Sequence, residues 1–198
     1  MSGAGIMLMS GDVPAGSVCT TNDVSNLIEE LQFTLGEGPC VDAFTQSRPV
    51  LEPDLASPTV ARWPAFSPPA LEVGVRAVFG FPLQVGAVRL GALNLYCDRP
   101  GPLGDDQHAD ALVMADVASH AVIAMQATAS ADAVATSLDA DADFHLVVHQ
   151  ASGMVAVQLG VTVGEALIRL RAHVFGHELT LAEVAEEIVA RRLRFDSP

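Results

Sequence analysis

The stretch VRAVFGFPLQVGAVRLGALNLYCD, residues 75–98, decides the fold of the first part of this chain. Two apolar runs are separated only by Gly86 and Ala87, and a two-residue connection with glycine first suits a type II′ turn. The pattern therefore predicts a β-hairpin. Because proline has no amide hydrogen to donate, Pro82 places the first of the two strands at a sheet edge or at a bulge.

The segments around this hairpin alternate between short strands and helices. In chain order they are predicted as a strand at 4–9, a turn at 10–16, a partner strand at 15–21, a helix at 23–32, a helix whose first residue is Pro39, an extended run at 48–55, a loop with a short helix at 61–75 and an amphipathic helix at 105–126. The last helix is expected to bury one side made of Leu112, Ala115, Ala118 or Ser119, and Val122. Residues 1–126 are thus predicted to form an α+β sensor-like domain, an antiparallel sheet flanked by helices.

A small-residue, acidic segment at 127–143 is predicted to be a linker or helical connector to a different, all-α part at 144–198. There the first helix is expected over Phe144–Leu159. Thr162–Glu165 and Thr180–Glu183 each match the capping box, in which a Ser or Thr and a Glu three residues later cap the start of a helix. Because helices this short are stable only when they pack on one another, the sequence predicts a three-helix bundle.

Composition limits the classes of protein to which the chain can belong. The 198 residues include ten Arg, no Lys and 24 Asp or Glu residues, for a formal net charge of −14. The apolar runs fall short of the ~20 residues of a membrane span, and the N-terminus lacks the basic segment of a signal peptide. Three cysteines without CxxC spacing argue against a disulfide framework and a zinc site. We therefore expect a cytoplasmic protein with no membrane partner, metal or cofactor.

The charge is unevenly distributed along the chain. Residues 1–143 carry five Arg and eighteen acidic residues, a net charge of −13, whereas residues 144–198 carry five Arg and six acidic residues, a net charge of −1. An acidic region repels the phosphates of nucleic acids. Any nucleic-acid binding is therefore expected in the helical part, which ends in the sequence ARRLRF at 190–195.

The sequence contains no strong enzyme signature. A nucleophile elbow, a P-loop and an HExxH motif are all missing, so the chain is not expected to be an enzyme. Cys40 is the one candidate nucleophile, because the first turn of a helix stabilises a thiolate. A buried, unreactive Cys40 is the favoured alternative, since free cysteines are usually buried. The GEGPC turn at 36–40 also offers backbone amides that would suit a small anion.

Polar side chains of the helical part are candidates for binding RNA. Arg171 and His173 share the second predicted helix with His177 at its exit, and such a cluster suits phosphates. Histidines and Gln150 can stack on, or hydrogen bond to, unpaired bases. The alternative is that these groups form a solvated outer face, and the residues by themselves leave both interpretations open.

Each of the two parts resembles a known domain family. The segments GEGPCVDAF (36–44), RPV (48–50) and RWPAF (62–66), with the hairpin and the helix LVMADVASHAV (112–122), resemble a GAF domain of the actinobacterial type. The segments HQASGMVAVQLGVTVGEALIRLRAHVF (149–175) and LAEVAEEIVARRLRF (181–195) resemble an ANTAR domain. The order of the two, GAF and then ANTAR, makes the joint resemblance specific.

The resemblance implies a signal-responsive regulator that acts by transcription antitermination. Its GAF part would sense a small-molecule ligand or another signal. Its ANTAR part would bind tandem RNA hairpin loops, as a homodimer, and prevent a terminator from forming. The candidate RNA-binding residues are Gln150, Ser152, Arg171, His173, His177, Arg191, Arg192 and Arg194.

The sequence departs from the ANTAR pattern at one informative position. The family has Ala, a basic residue, Gly and an aliphatic residue where this chain has Ala151-Ser152-Gly153-Met154, without the basic residue. Ala151 and Gly153 are expected to allow close approach of a neighbouring helix or an RNA backbone. The missing charge motivates a second hypothesis, a ligand-binding or dimerisation regulator that has lost RNA binding. A third is a methionine sulfoxide reductase of GAF fold in which Cys40 and Cys97 would pair.

Overall fold

A computed structural model describes residues 1–10, 13–57, 62–128, 140–177 and 179–195. The chain forms two compact units, Met1–Ala129 and Ser130–Pro198. The division lies within the connector predicted at 127–143, most of which falls outside the described residues. Each unit is described by itself.

The first unit is built on an antiparallel sheet of five described strands in the order β2-β1-β5-β4-β3. The strands are β1 (Gly3–Ser10), β2 (Val13–Thr20), β3 (Val50–Glu52), β4 (Ala77–Val85) and β5 (Val88–Cys97). The long hairpin β4–β5 provides two of the inner strands, and β1 pairs with β5 on its other side. This arrangement agrees with the α+β class predicted from the sequence.

The β4–β5 hairpin confirms the prediction made from its turn. Val85 pairs with Val88 across the two-residue connection, and Gly86 has φ of 58°, the sign that a II′ turn requires at its first central residue. The short β3 pairs with β4 only as far as Gly80, so the edge of β4 at Pro82 is unpaired. A register shift follows directly after Leu83. Pro82 therefore lies where a missing amide hydrogen leaves the β4–β5 ladder intact.

The first hairpin differs from the prediction in where its second strand begins. Ser10 pairs with Val13, so residues 13–16, predicted as part of the turn, belong to β2. Pro14 is tolerated there because β2 is an edge strand of the sheet. The pairing of β1 with β2 also contains two register shifts.

Helices cover both faces of the sheet. They are α1 (Asp23–Leu35), α2 (Pro39–Gln46), α3 (Ser67–Glu72) and α4 (Asp105–Thr128). The start of α1 is fixed by a capping box between Asn22 and Ser25, and its end by Gly36 in the left-handed conformation. Pro39 is the first residue of α2, as predicted. Helices α1 and α2 pack on one face of the sheet, and α4 packs against the opposite face of β4 and β5.

The buried side of α4 differs by one residue from the predicted side. Ala111, Ala115, Ser119 and Val122 are buried, whereas Leu112 is 45% exposed, so the prediction for Leu112 is wrong. The small side chains of Ala111 and Ala115 pack against Phe79 and Phe81 of β4, so the large aromatic rings of the sheet fill the space between the sheet and α4. The Ser119 hydroxyl is satisfied by donating to the Ala115 carbonyl at 2.7 Å.

The second unit contains the three predicted helices. They are α5 (Ala140–Leu159), α6 (Val163–His177) and α7 (Leu181–Val189). Helix α5 begins four residues before the predicted start and ends at Gly160, which has φ of 66°. Both predicted capping boxes are formed, since Thr162 and Glu165, like Thr180 and Glu183, exchange backbone and side-chain hydrogen bonds.

The core of the second unit is made of short aliphatic side chains. They are Val148, Ala151, Val155, Ala166, Leu167, Leu170, Leu181, Val184, Ala185 and Ile188. Helix α5 packs against both α6 and α7. Among the described residues, no single helix has the length and hydropathy of a membrane span, although Leu146–Leu159 and Val163–His177, bent by 103°, pass that test as a pair.

Candidate RNA interface and buried polar cluster

An open groove of about 560 Å³ runs along the second unit, between α5 and the chain that follows α7. Its α5 side consists of residues spaced so that they share one helix face: Gln150, Gly153, Met154, Val157 and Gln158. Arg191 and Arg194 form its other side. The groove thus combines an apolar floor with two cations, and it contains three of the residues predicted to bind RNA.

The chain after α7 is held in place by backbone turns and one side-chain hydrogen bond. Arg191 adopts φ of 61°, a left-handed conformation uncommon for a non-glycine residue, and its amide donates to the Ile188 carbonyl at 2.9 Å. The Phe195 amide donates to Oε1 of Gln158 at 2.9 Å. These bonds turn the chain back along α5 and place Arg194 beside the groove.

The two predicted histidines of α6 form a stack that continues onto Phe195. The rings of His173 and His177 lie 4.0 Å apart and 21° from parallel, and the His173 ring meets Phe195 edge-on at 5.2 Å. Burial and the neighbouring His177 lower the pKa of His173. These two effects favour the neutral form of the His173 ring, and the stack offers flat aromatic surfaces.

The predicted cations differ in how accessible they are. Burial lowers the pKa of Arg171 to about 10, which leaves it charged but largely withdrawn from solvent. Arg192 forms a two-bond ion pair with Glu187, at 2.9 and 2.7 Å, and this pair offsets its charge. Neither Arg191 nor Arg194 forms an ion pair within the part of the chain that the structure describes. These two arginines are the cations best placed to meet phosphates.

Ser152, predicted as an RNA-binding residue on the helix surface, lies inside the bundle. It has no exposed surface, and its hydroxyl donates to the Val148 carbonyl at 2.7 Å. Ser152 is buried like its neighbour Ala151 because α5 packs against both other helices, so that a wide part of its surface lies in the core. Its side chain cannot touch a partner in this structure, which corrects the prediction.

Gly153 also differs from its predicted role in helix packing. A Cβ atom at this position would meet no atom within 4 Å, so no neighbouring helix approaches it. Instead the missing side chain widens the groove on α5. Close approach of a neighbouring helix is therefore not the reason for this glycine, and the other predicted reason, close approach of an RNA backbone, stays a prediction.

A buried polar cluster in the first unit was not predicted. Glu29 and Gln32 of α1 and Asn94 of β5 are all buried between the helices and the sheet. The Asn94 amide donates to both carboxyl oxygens of Glu29, at 2.8 and 3.0 Å. Burial raises the pKa of Glu29 to about 8, an effect that the hydrogen bonds from Asn94 oppose.

Two glycines make room for this cluster. A Cβ atom on Gly5 would overlap the Glu29 carboxyl group, and one on Gly38 would overlap Gln32. Two polar atoms in the cluster, Nε2 of Gln32 and Oδ1 of Asn94, have no hydrogen-bond partner. The sequence carried a weak signal for the cluster, because Glu29 and Gln32 share a helix face with the core residue Ile28.

The cysteines do not form the paired site that was considered. Cys40 is fully buried, as the favoured interpretation expected, and burial followed by the charge of Glu29 raises the pKa of its thiol, which disfavours a reactive thiolate. Its amide donates to Oε1 of Gln32 at 2.7 Å rather than facing an anion site. Cys97 packs with the α4 side of the sheet, whereas Cys40 lies on the α1 and α2 side. A pairing of Cys40 with Cys97 is therefore excluded in this fold.

The residues described here offer no evident metal centre, since no three His, Cys, Asp or Glu side chains among them are grouped to hold an ion. An antiparallel sheet of five described strands with helices on both faces defines the first unit as a small α+β domain. The chain belongs to the GAF domain family, whose model matches residues 2–126. GAF domains are signal-sensing domains.

Solved structures of similar fold cover the same part of the chain. The GAF domain region of a membrane protein from Geobacter sulfurreducens PCA is 16% identical, with a TM-score of 0.50 over 62% of this chain and 82% of that one. A domain of a two-component sensor histidine kinase protein from Sinorhizobium meliloti 1021 is 18% identical, with a TM-score of 0.49 over 64% and 81%. Type II free methionine-R-sulfoxide reductase from Thermoplasma acidophilum is 16% identical, with a TM-score of 0.45 over 62% and 78%. At these identities the likeness concerns the fold alone. No curated protein matches the chain.

Proposed function

We propose that this chain is a non-enzymatic, cytoplasmic, signal-responsive regulator that binds RNA through its helical unit and acts by transcription antitermination. The GAF unit is the sensor, and the helical unit is an ANTAR-type RNA-binding domain. The sequence resemblance motivates the proposal. The groove between α5 and the chain after α7 is the structural observation that carries it.

The groove has the chemistry that an unpaired RNA loop needs. Arg191 and Arg194 can bind phosphates on one side, and the side-chain amide of Gln150 can hydrogen bond to the edge of a base. Gly153 and the 84% exposed Val157 leave an apolar surface on which a base can rest. Close by, the stacked rings of His173 and His177 offer a further flat surface.

The distribution of charge favours this unit over the GAF domain as the RNA-binding part. The helical part carries a net charge of −1, against −13 for residues 1–143. Phosphates would be repelled by the acidic part and attracted by the arginines beside the groove. Binding is expected to be of modest affinity, because few cations face the groove.

The test is a titration of the full chain with a labelled RNA that carries two adjacent hairpins with unpaired loops. We expect binding at about 50 mM salt, and we expect the logarithm of the association constant to fall linearly with the logarithm of the salt concentration, with a slope of about 0.7–0.9 for each phosphate contact. A fully paired RNA duplex of the same length, which has no unpaired loops, is the control. Absence of binding at low salt, where phosphate contacts are strongest, contradicts the proposal.

Homodimerisation is part of the same proposal. Helix α4 leaves Met114, Val117 and Met125 exposed along one side, an apolar surface that a second copy of the chain would cover. Sedimentation of the native chain and of the Val117→Glu variant tests this. We expect a dimer that the variant converts to a monomer, and a native monomer at micromolar concentration contradicts it.

The second candidate is a ligand-binding or dimerisation regulator without RNA affinity. The observation that favours it is Ser152, which stands where the resembled family has a basic residue and which is buried. A small molecule that raises the unfolding temperature of the chain, with no RNA binding at low salt, would establish this candidate instead.

A further inference from the structure

We propose that the GAF unit senses protons, and that the sensing element is the buried pair formed by Glu29 of α1 and Asn94 of β5. The inference concerns the signal and does not depend on the RNA function. It rests on the position of the pair, on the unsatisfied Oδ1 atom of Asn94 and on the groups that surround the pair.

The pair joins two layers of the domain at a point closed to solvent. Glu29 is 1% exposed and Asn94 is 4% exposed, and the Asn94 amide reaches both carboxyl oxygens. One turn further along α1, Gln32 accepts the amide hydrogen of Cys40 and so ties α1 to α2. The same stripe of α1 therefore fixes it both to the sheet and to the neighbouring helix.

The hydrogen bonds of the pair suit two protonation states. Both carboxyl oxygens of Glu29 lie within hydrogen-bond distance of the Asn94 amide nitrogen, an arrangement that suits an ionised carboxylate. A protonated Glu29 has one hydroxyl to donate, and Oδ1 of Asn94 is a buried acceptor without a partner. A rotation of the Asn94 amide then exchanges one arrangement for the other, and the proton comes from or returns to solvent. No other reactant is needed.

The groups around Glu29 that are named below carry no positive charge, so they do not compensate the charge of an ionised Glu29. Strand β1 contributes Gly5, β2 contributes the thiol of Cys19 and α2 contributes the thiol of Cys40. Burial and the charge of Glu29 raise the pKa of both thiols, so both remain neutral in the range in which Glu29 titrates.

The other polar side chains of β5 have their own partners away from Glu29. Tyr96 donates to Asn22, and Arg89 stacks over Phe44 near the opposite end of the strand. No cation among the described residues forms an ion pair with Glu29.

Ionisation is therefore expected to loosen α1 from the sheet. A buried carboxylate that has no cation beside it is stabilised by contact with water, and opening of α1 gives Glu29 that contact. Burial raises the pKa of Glu29 to about 8, whereas in an opened helix the pKa returns to its ordinary value near 4.5. At any pH between these two values, the opening of α1 therefore releases one proton. The equilibrium constant for the opening of α1 then increases about tenfold for each pH unit between about pH 4.5 and pH 8, and it is constant above pH 8.

Two measurements on the full chain test the proposal. The carboxyl carbon of Glu29, followed by NMR between pH 5 and 9, is expected to titrate near pH 8. Amide hydrogen exchange of α1, corrected for the intrinsic effect of pH, is expected to show about a tenfold loss of protection per pH unit between pH 6 and 8.

The Glu29→Gln variant keeps the shape of the side chain and cannot ionise. Its α1 protection is expected to be independent of pH, whereas the matched control Glu30→Gln, one residue away and half-buried, keeps the slope of the native chain. A Glu29 carboxyl that titrates near 4.5, or the same pH slope in native and Glu29→Gln chains, overturns the proposal. If the variant does not fold, the titration of the native carboxyl still decides. None of these readouts involves RNA, so failure of the RNA proposal leaves this one standing.

Discussion

The side-chain oxygen of Gln158 on α5 accepts the backbone amide hydrogen of Phe195 at 2.9 Å, across a sequence separation of 37 residues. This one bond brings the last described residue against the first helix of its unit. It also sets the position of Arg194, and it places the Phe195 ring edge-on to His173. The groove proposed to bind RNA therefore depends on a contact made by Gln158, one of the residues that line it.

Loss of this bond is expected to weaken RNA binding more than folding. Gln158→Ala removes the acceptor, and a partly buried hydrogen bond of this kind contributes about 1 kcal/mol to stability. We expect the Phe195 amide to lose protection from hydrogen exchange, and RNA affinity to fall several-fold, with a small change in unfolding temperature. Unchanged RNA affinity together with an unprotected Phe195 amide would show that the segment is irrelevant to binding.

Gly153→Ala separates stability from binding. The added Cβ meets open space, and alanine favours a helix over glycine by about 1 kcal/mol, so the variant is expected to be more stable. The same methyl group narrows the groove, and we expect weaker RNA binding. Gly176→Ala in α6 is the matched control, since its Cβ also meets nothing within 4 Å and lies outside the groove lining. Thermal unfolding and RNA titration of the two variants provide the comparison, and equal RNA affinities in both would contradict this role of Gly153.

Ser152 is expected to matter for the core and not for RNA. Ser152→Ala removes one hydrogen bond to the chain's own backbone, and we expect a change in unfolding free energy of less than about 1 kcal/mol with RNA affinity unchanged. Ser152→Lys introduces the basic residue of the resembled family into a buried position and is expected to destabilise the unit by about 3 kcal/mol or more. Denaturant unfolding of both variants measures this. A stable Ser152→Lys chain with tighter RNA binding would mean that the position is exposed in the complex.

The stability of the GAF unit is expected to decrease as the pH rises. In the unfolded chain Glu29 ionises near its ordinary pKa of 4.5, whereas burial raises the folded pKa to about 8. Between these values the folded state holds one more proton than the unfolded state, so the free energy of unfolding falls by up to about 5 kcal/mol from pH 4.5 to 8. Denaturant unfolding of native and Glu29→Gln chains across this range measures the effect. The difference between the two chains should grow with pH, and a constant difference would contradict it.

Local rules sufficed where neighbouring residues alone determine the structure. The hairpin around Gly86 and the helix starts at Thr162 and Thr180 were predictable because a turn or a cap involves residues at most three positions apart. The face of α4 was predicted one residue out, at Leu112 instead of Ala111. In a helix rich in small and apolar residues, hydrophobic periodicity defines a side only approximately.

The buried polar groups could not be predicted in the same way. Glu29 is buried because Asn94, 65 residues away, can bond to it and because Gly5 leaves room, and both relationships join helix α1 to a strand that is distant in the sequence. Ser152 is buried because a short hydroxyl can bond to its own helix and so can occupy a core position. A polar residue in a sequence gives no direct sign of either circumstance.

The salt dependence of RNA affinity in a double arginine variant is the most direct test of the proposed function. Arg191→Ala with Arg194→Ala removes the two groove arginines, and Arg192→Ala removes the neighbouring cation that is paired with Glu187. We expect the double variant to lose most of the affinity and to reduce the salt slope by about 1.4–1.8, while Arg192→Ala stays close to the native chain. Equal affinity and slope in the native chain and the double variant would contradict an RNA interface in this groove.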